Sequence, residues 1–344
     1  MEFEFIVGVD MSKEWFDFCL LDRRFNSLSQ GRVENTKQAI LQFITQILAQ
    51  LGQSEMGKVV LCMEHTGVYV KHLAKTWMQQ GGRLSLVHAR KVSQQMAGQA
   101  GWVEKTDQLD AQRLAHYGIR FSDQLELWQA KGITLERLQA YQRQRERLIK
   151  VIKLLEAPLK ESRVFDEDEV YQDLLKNQAQ SIKALKDDLK NIESNLNHLI
   201  EQDEQLAPLF KLVCSVEGIG PVTARELLIA TQCFTRFESN QAKAFARYAG
   251  VIPLKRQSGK RLRKKERIPS QANKTIKSLL TMGATALIGT QSELGHYYRR
   301  KLQEGKDHLC VINAIRNKII LRVFAVVRNQ VMYQKNLNLC LHKP

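Results

Sequence analysis

Residues 3–22 read FEFIVGVDMSKEWFDFCLLD, and this stretch decides the fold. Its first part, Phe3 to Val9, is a β-rich run that ends on Asp10. Its second part, Trp15 to Leu21, is another strand-like run, which the turn residues Asp22-Arg23-Arg24 follow. The stretch therefore predicts two successive strands at the start of an α/β domain.

The same kind of pattern continues through the first 130 residues. A third strand is predicted over 27–33, and Thr36 then caps a helix whose apolar residues have helical spacing. The remaining predicted elements are a buried strand over 59–63 that ends on Glu64, a helix from Thr66-Gly67 to Trp77, a strand over 84–87 and a helix over 106–117. The order of strands and helices predicts an RNase H-like sheet for a domain over 1–130.

Charge indicates the class of partner. The 344 residues include 52 lysines and arginines against 36 acids, a formal net charge of +16, and the sequence pI is about 9.6. Such an excess favours a nucleic-acid partner, although charge alone also allows a basic but otherwise ordinary soluble protein. Hydrophobic residues make up 44% of the chain, and this length predicts two or three folded domains.

Other classes of protein do not fit the sequence. The first residues lack the basic and apolar regions of a signal peptide, and no apolar run approaches the ~20 residues that span a bilayer. The six cysteines are scattered without a CxxC pair, which argues against a zinc site and against a disulfide framework. We therefore expect a cytoplasmic protein with reduced thiols and no membrane contact.

The rest of the chain changes character twice. Over 131–206, apolar residues step by three and four, which predicts two long helices that pair as a coiled-coil hairpin, a spacer or oligomerisation region. Within it, Glu161 to Glu204 contains 12 acidic and 5 basic residues, so it is a poor DNA-binding face. Over 207–335 the chain is predicted to be helical, and Lys255 to Arg267 contains eight basic residues and one acid.

Four acids are positioned to share one site. Asp10 and Glu64 end two predicted strands, and Asp107 and Asp110 lie three residues apart, so they share one face of a helix. If the two strands are neighbours, all four carboxylates meet at one edge of the sheet. Clustered carboxylates repel one another unless cations neutralise them, and oxygen-only ligation suits Mg²⁺ or Mn²⁺. The pattern predicts a two-ion site for phosphodiester chemistry.

A glycine-rich turn in the last region predicts backbone contacts to nucleic acid. Val216-Glu217-Gly218-Ile219-Gly220-Pro221-Val222-Thr223 reads as a helix-hairpin-helix element. Its glycines allow close approach of a phosphate, and the N–H groups that open the next helix can bind it. We expect Gly218, Gly220 and Thr223 to take part, although an ordinary tight helical turn would have the same pattern.

A serine lies within the basic segment that follows. Ser258-Gly259 is flanked by cations that suit contacts to phosphate and stabilisation of a pentacovalent phosphate. The residues expected to bind nucleic acid here are Lys255, Arg256, Lys260, Arg261, Arg263, Lys264, Lys265 and Arg267. The residues alone leave Ser258 either as a nucleophile or as a plain phosphate contact.

Six ordered motifs together resemble the DEDD transposases of bacterial insertion sequences, which are related to Piv-type DNA invertases. The motifs are GVDMSK over 8–13, MEHTG over 63–67, KTDQLDA over 105–111, GIGP over 218–221, AGVIP over 249–253 and SG over 258–259. The family also has a Ser-Lys-x-Gly-Asn stretch beyond the serine. Here the segment reads PSQANK over 269–274, in which Asn273 matches the family but the lysine and glycine positions are replaced. This difference leaves Ser270 as a rival to Ser258 for the role of nucleophile.

The resemblance implies a specific reaction. The first domain would be RuvC-like, with Asp10, Glu64, Asp107 and Asp110 as metal ligands. Ser258 would attack the DNA phosphodiester and form a phosphoserine intermediate, in a site shared between subunits of a homodimer or homotetramer. Strand exchange between donor and target double-stranded DNA would pass through a Holliday junction, and in some members a structured non-coding bridge RNA supplies the specificity.

Two other functions remain compatible with the residues. A RuvC-like, Mg²⁺-dependent endonuclease or Holliday junction resolvase would use the same four acids but water in place of Ser258. A non-catalytic nucleic-acid-binding protein would need neither metal nor acids, so Asp10→Ala and Asp107→Ala would affect stability alone.

Overall fold

The chain forms two compact units, residues 1–130 and residues 131–344. The structure is a computed structural model and describes residues 3–51, 53–65, 67–96, 106–128, 132–252, 254–258, 262–267 and 272–334. Within these residues, no helix combines the length and the apolar character needed to cross a membrane. The mixed α/β first unit and the largely helical second unit confirm the predicted combination of classes.

A five-stranded sheet forms the centre of the first unit. Its strand order is β3-β2-β1-β4-β5, in which β1 pairs antiparallel with β2 and parallel with β4. The strands are β1 (Phe5–Met11), β2 (Trp15–Asp22), β3 (Ser27–Glu34), β4 (Val59–Glu64) and β5 (Arg83–Val87). Strands β1, β2 and β4 are buried almost throughout, as expected for strands that are covered on both faces.

Helices cover both faces of this sheet and complete two apolar cores. They are α1 (Lys37–Leu51), α2 (Lys71–Gln79), α3 (Ala89–Met96) and α4 (Asp107–Arg120). The expected helix from Thr66-Gly67 begins four residues after Gly67, because that glycine has a φ of +74° and a turn over 67–70 comes first. Thr66 lies outside the described residues, and α3 was not predicted.

Gly8 lets α4 lie directly against β1. A Cβ atom at Gly8 would lie 2.1 Å from the carbonyl oxygen of Ala111 and 2.3 Å from the backbone nitrogen of Ala115. No side chain fits at such distances, so only glycine permits this approach of helix and strand. The helix that contains two of the four predicted acids is thereby fixed to the strand that contains the first.

Two long helices open the second unit, as predicted, and pack along each other. They are α5 (Ile133–Phe165) and α6 (Asp168–Glu201), and α5 has Pro158 in its interior. Ile152 and Leu159 are buried on α5, and Ile182 and Ile192 are buried on α6. The description of this pair as a coiled coil remains an interpretation.

The helices that follow pack around one apolar core, to which α5 and α6 also contribute. They are α7 (Leu206–Cys214), α8 (Pro221–Thr231), α9 (Ala242–Tyr248), α10 (Lys274–Ile288), α11 (Glu293–Gln303) and α12 (His308–Asn329). Asn273 caps α10, since its side chain accepts a hydrogen bond from the Ile276 N–H at 3.1 Å.

The basic segment is not helical, which corrects the expectation for 207–335. It forms an antiparallel pair of strands, β6 (Leu254–Ser258) and β7 (Leu262–Arg267). Charged residues occupy most positions of this segment and leave no apolar stripe at three- and four-residue spacing, which a helix packed on a core would need.

Candidate active site

Asp10 and Glu64 lie side by side at one edge of the sheet. Strands β1 and β4 are parallel neighbours, and the last paired positions are Val9 and Met63. Asp10 and Glu64 are the next residue on each strand. Both side chains are half-buried, since the strands that lead to them lie in the core while their ends approach solvent.

Helix α4 brings the other two predicted acids. Asp107 is its first residue and Asp110 is one turn further along. Thr106 caps the helix by accepting a hydrogen bond from the Leu109 N–H at 3.2 Å, which is the usual role of threonine before a first turn. With α4 fixed against β1 at Gly8, both acids lie at the edge where β1 ends.

The other predicted acids influence the pKa of Asp10. The pKa of Asp10 is raised to about 6, first because burial disfavours its charged form. The charges of Asp110, Asp107 and Glu64 raise this pKa further, in that order. The charges of the other three predicted acids therefore all act on Asp10, which places the four acids in the same part of the first unit.

Two arginines neutralise part of this cluster. The Arg113 Nη1 donates to Asp110 Oδ1 at 2.7 Å, and the Arg32 Nη2 donates to Asp107 Oδ2 at 3.2 Å. Arg32 also binds Asp17, whose charge is a further cause of the raised Asp10 pKa. Sequence reasoning missed Asp17 and Arg32, although a single acid inside the apolar run of β2 was a usable signal.

The donor set fits a hard divalent cation in its chemistry. Four carboxylates offer only oxygen ligands, which Mg²⁺ and Mn²⁺ prefer, and their mutual repulsion favours a bound cation. Within the described residues, however, no three acid, histidine or cysteine side chains converge closely enough to hold one ion. In this arrangement Asp107 and Asp110 are instead turned toward guanidinium groups.

The glycine turn lies between α7 and α8, but its residues differ in accessibility. Gly218 has a φ of +84° and packs against α10, where a Cβ at Gly283 would lie 2.1 Å from the Gly218 carbonyl oxygen. Gly220 is exposed and precedes Pro221 at the start of α8. Thr223 is only 7% exposed and lies in the first turn of α8, so the expected contact to nucleic acid would involve its backbone N–H and stays a prediction.

The predicted serine and its basic neighbours lie on the two-stranded sheet. Ser258 is the last residue of β6 and pairs with Leu262 of β7. Lys255 and Arg256 lie on β6, and the basic residues on β7 are Arg263, Lys264, Lys265 and Arg267. Lys260 and Arg261 lie outside the described residues, as does Ser270.

A second pair of cations was not predicted. Lys277 lies near the start of α10, and Arg316 lies on α12. The pKa of Lys277 is lowered, first by burial and then by the charge of Arg316 nearby. The Arg316 Nη1 donates to Asn313 Oδ1 at 3.3 Å, and Asn313 donates to the Val251 carbonyl at 2.7 Å. Neither cation forms an ion pair with an acid of the described chain, so both suit an external anion.

Two family models match separate parts of the chain. Residues 7–160 match a model of DEDD type described as a transposase. Residues 210–299 match a model described as a transposase of the IS116/IS110/IS902 family. The first match contains all four acids of the candidate site, and the second contains Ser258 and the basic strands.

Similar proteins come from DNA-rearranging systems. The pilin gene-inverting protein of Moraxella bovis is 27% identical over 96% of this chain and 98% of its own length. Its counterpart from Moraxella lacunata has the same identity and coverage. An uncharacterized 43.6 kDa protein of insertion element IS110 from Streptomyces coelicolor is 27% identical over 46% of this chain and 38% of its own length.

Proposed function

The chain belongs to the IS110-type DEDD transposases, and from this premise we propose that it cuts and rejoins double-stranded DNA. Ser258 would be the nucleophile. The ligands of Mg²⁺ would be Asp10, Glu64, Asp107 and Asp110. The observation that carries the proposal is the position of Asp10 and Glu64 as neighbours at the ends of two parallel strands, where the charges of Asp110, Asp107 and Glu64 add to burial in raising the pKa of Asp10. Perturbed carboxylates grouped at the end of a sheet are a feature of catalytic sites.

The chain's own residues have separable tasks in this reaction. When bound, the Mg²⁺ ions supply neutralisation of the phosphate and activation of the attacking oxygen. The four acids hold the ions, and α4, fixed at Gly8, sets the spacing of Asp107 and Asp110 relative to Asp10. The basic strands β6 and β7 offer cations that bind phosphates without reading sequence.

Ser258 would carry the covalent step. Its Oγ loses its proton and attacks the phosphorus, the bond from phosphorus to a deoxyribose oxygen breaks, and that oxygen takes up a proton and leaves as a hydroxyl. The phosphoserine linkage that forms conserves the bond energy. Attack on that linkage by a second DNA hydroxyl joins the new strand and frees the serine. The proposal is supported by the position of Ser258 between cations in the segment that matches the transposase model.

The test is a search for the covalent intermediate. Labelled DNA that spans the flanks of the gene would be incubated with the protein and MgCl₂, and adducts would be resolved on a denaturing gel. We expect wild type to form a protein–DNA adduct, Ser258→Ala to lose it while still binding DNA, and Asp10→Ala to lose all cleavage. Ser270→Ala is the matched control and should keep the adduct.

The outcomes separate the alternatives. Unchanged cleavage by Ser258→Ala would favour a nuclease or junction resolvase that uses water. DNA binding without cleavage, with no effect of Asp10→Ala and Asp107→Ala beyond stability, would favour a non-catalytic nucleic-acid-binding protein.

The same proposal includes a structured guide RNA, for which the net charge of +16 offers binding capacity. The protein would act in the bacterial cytoplasm, where such an RNA and the chromosome are both accessible. Sequencing of the nucleic acid that co-purifies with the native protein tests this part. A discrete non-coding RNA is expected, and random cellular RNA would contradict guidance.

Self-association into a homodimer or homotetramer is the last part of the proposal. Its support is the apolar surface at the far end of the α5–α6 pair, where the exposed fractions of Leu154, Val164 and Phe165 are 73%, 70% and 84%. Exposed apolar groups of this size favour contact with another chain. Light scattering of the full chain is expected to give a mass of two or four protomers.

A further inference from the structure

A row of three charged residues crosses the sheet beside the candidate metal site. Asp10 on β1 is paired with Asp17 on β2, and Asp17 is paired with Arg32 on β3. Directly paired residues of an antiparallel sheet project from the same face. The row therefore connects the first acid of the site to a guanidinium group two strands away.

The link between Asp17 and Arg32 is strong. Asp17 is 5% exposed, and the Arg32 Nε lies 3.2 Å from both of its carboxylate oxygens while the Nη2 lies 2.9 Å from Oδ2. A buried carboxylate is costly without a charged partner, and the planar guanidinium fork matches its geometry. Asp17 therefore anchors Arg32 at this position.

The link between Arg32 and Asp107 is of another kind. The Nη2–Oδ2 distance is 3.2 Å, but both side chains are open to solvent, at 52% and 59% exposure. Ion pairs exposed to this degree are weak and readily exchanged. The Trp15 ring, 5.1 Å from the guanidinium carbon, supports the arginine from another side, so Arg32 stays in place whether or not Asp107 is bound.

We propose that Arg32, anchored by Asp17, is an internal counter-ion that holds Asp107 and releases it when a divalent cation binds. The inference rests on the proposed function, because it requires the four acids to bind metal. Guanidinium and metal compete for one carboxylate, so each weakens the binding of the other.

When Asp107 is released, the Arg32 guanidinium group keeps Asp17 but loses its second carboxylate partner. It lines a cavity of about 520 Å³. The other lining residues are Asp17, Gly31, Thr106, Asp107 and Gln108. A guanidinium group that has lost one carboxylate there can bind a phosphate oxygen in the same geometry.

A charge-neutral double substitution tests the exchange. In Arg32→Gln/Asp17→Asn the row keeps hydrogen-bonding groups, and the loss of one positive and one negative charge leaves the net charge of the site unchanged. The matched control is Lys58→Gln/Glu4→Gln, which removes an exposed ion pair of 2.8 Å in the same unit. MnCl₂ would be titrated into each full-length protein by calorimetry without DNA.

The double variant is expected to bind Mn²⁺ about two- to fivefold more tightly than wild type, since exposed ion pairs contribute little. The control should bind like wild type. Arg32→Lys keeps the ion pair with Asp17 but lacks the fork that reaches a second carboxylate. It should also bind more tightly, and it replaces the double variant if circular dichroism shows that the latter is unfolded.

Asp10→Asn distinguishes failure of the counter-ion inference from failure of the proposed metal site. Suppose that Asp10→Asn no longer binds Mn²⁺, but that wild type binds Mn²⁺ at least as tightly as the Arg32 variants do. Arg32 is then not a competing counter-ion, and this inference is overturned while the proposed function stands. If wild type binds no Mn²⁺, or if Asp10→Asn binds Mn²⁺ as tightly as wild type, the proposed metal site is wrong and both proposals fail.

Discussion

Asp10 is a residue whose charge the folded chain disfavours. Burial and the neighbouring carboxylates both act against its ionised form, so Asp10→Asn should relieve repulsion when metal is absent. We expect this variant to unfold about 2–4 °C above wild type in EDTA, which corresponds to roughly 1 kcal/mol. MgCl₂ should raise the unfolding temperature of wild type and not that of the variant. A variant that Mg²⁺ still stabilises would remove Asp10 from the site.

Glu226 on α8 gives the second unit a pH dependence. Its pKa is raised to about 6 from 4.5, first by burial and then by the charge of Glu146. Because the folded pKa exceeds the unfolded one, the group costs nothing below about pH 4.5 and destabilises the fold as pH rises through about 6. Glu226→Gln should therefore raise the free energy of unfolding by about 1–2 kcal/mol above pH 7 and leave it unchanged near pH 4.

Urea unfolding of the full chain across this pH range measures the Glu226 effect. Glu201→Gln, at an exposed acid of α6, is the control and should follow the wild-type curve. Parallel curves for wild type and Glu226→Gln would mean that Glu226 keeps an ordinary environment in solution.

Sequence reasoning reached some of the site residues and not others. Asp10 and Glu64 could be predicted because an acid at the end of an apolar run marks the end of a buried strand. Asp17 could have been noticed as a single acid inside an apolar run, but its pairing with Arg32 could not be predicted, since that depends on which strands pair and in which register. That register is a tertiary property, and only the pairing of β1, β2 and β3 brings the two residues beside Asp10.

At the scale of elements, the contact between α4 and β1 depends on Gly8. Gly8→Ala introduces a Cβ 2.1 Å from a backbone oxygen, which moves the helix and with it Asp107 and Asp110. We expect the unfolding temperature to fall and Mg²⁺-dependent cleavage to be lost even in molecules that remain folded. Gly57→Ala is the control, because a Cβ there meets no atom within 4 Å. Normal cleavage by folded Gly8→Ala would show that the acids do not need this spacing.

Elements with strong periodicity were the predictable ones. The strands of the first sheet and the α5–α6 pair follow from apolar runs and from three- and four-residue steps. Helix α3 (Ala89–Met96) was missed because it buries only Val92 and Met96, too few for a visible period. The strands β6 and β7 were missed because charges, which carry no apolar alternation, occupy most of their positions.

For the whole molecule, charge predicts steep salt dependence of DNA binding. The logarithm of the association constant should fall linearly with the logarithm of salt concentration, by about 0.9 for each phosphate contacted. Lys277→Gln/Arg316→Gln should reduce this slope by about one to two units, as two contacts are lost. Fluorescence anisotropy at several salt concentrations provides the measurement.

The control for this slope removes the same charge from the acidic hairpin. Lys176→Gln/Lys183→Gln changes two exposed lysines of α6. Because the net negative charge of this segment is expected to disfavour DNA, this variant should leave the slope unchanged. Equal slopes for wild type and the Lys277/Arg316 variant would exclude that pair from the DNA-binding surface.

Pro158 has a mechanical consequence for the long hairpin. A proline inside a helix lacks the N–H that would bind the carbonyl four residues earlier, here that of Leu154, whose side chain is open to solvent. Helices bend most readily where the backbone ladder is broken in this way. The last turns of α5, beyond Pro158, are therefore expected to bend more easily than the turns before it, which would let the end of the hairpin change its angle in the proposed self-association.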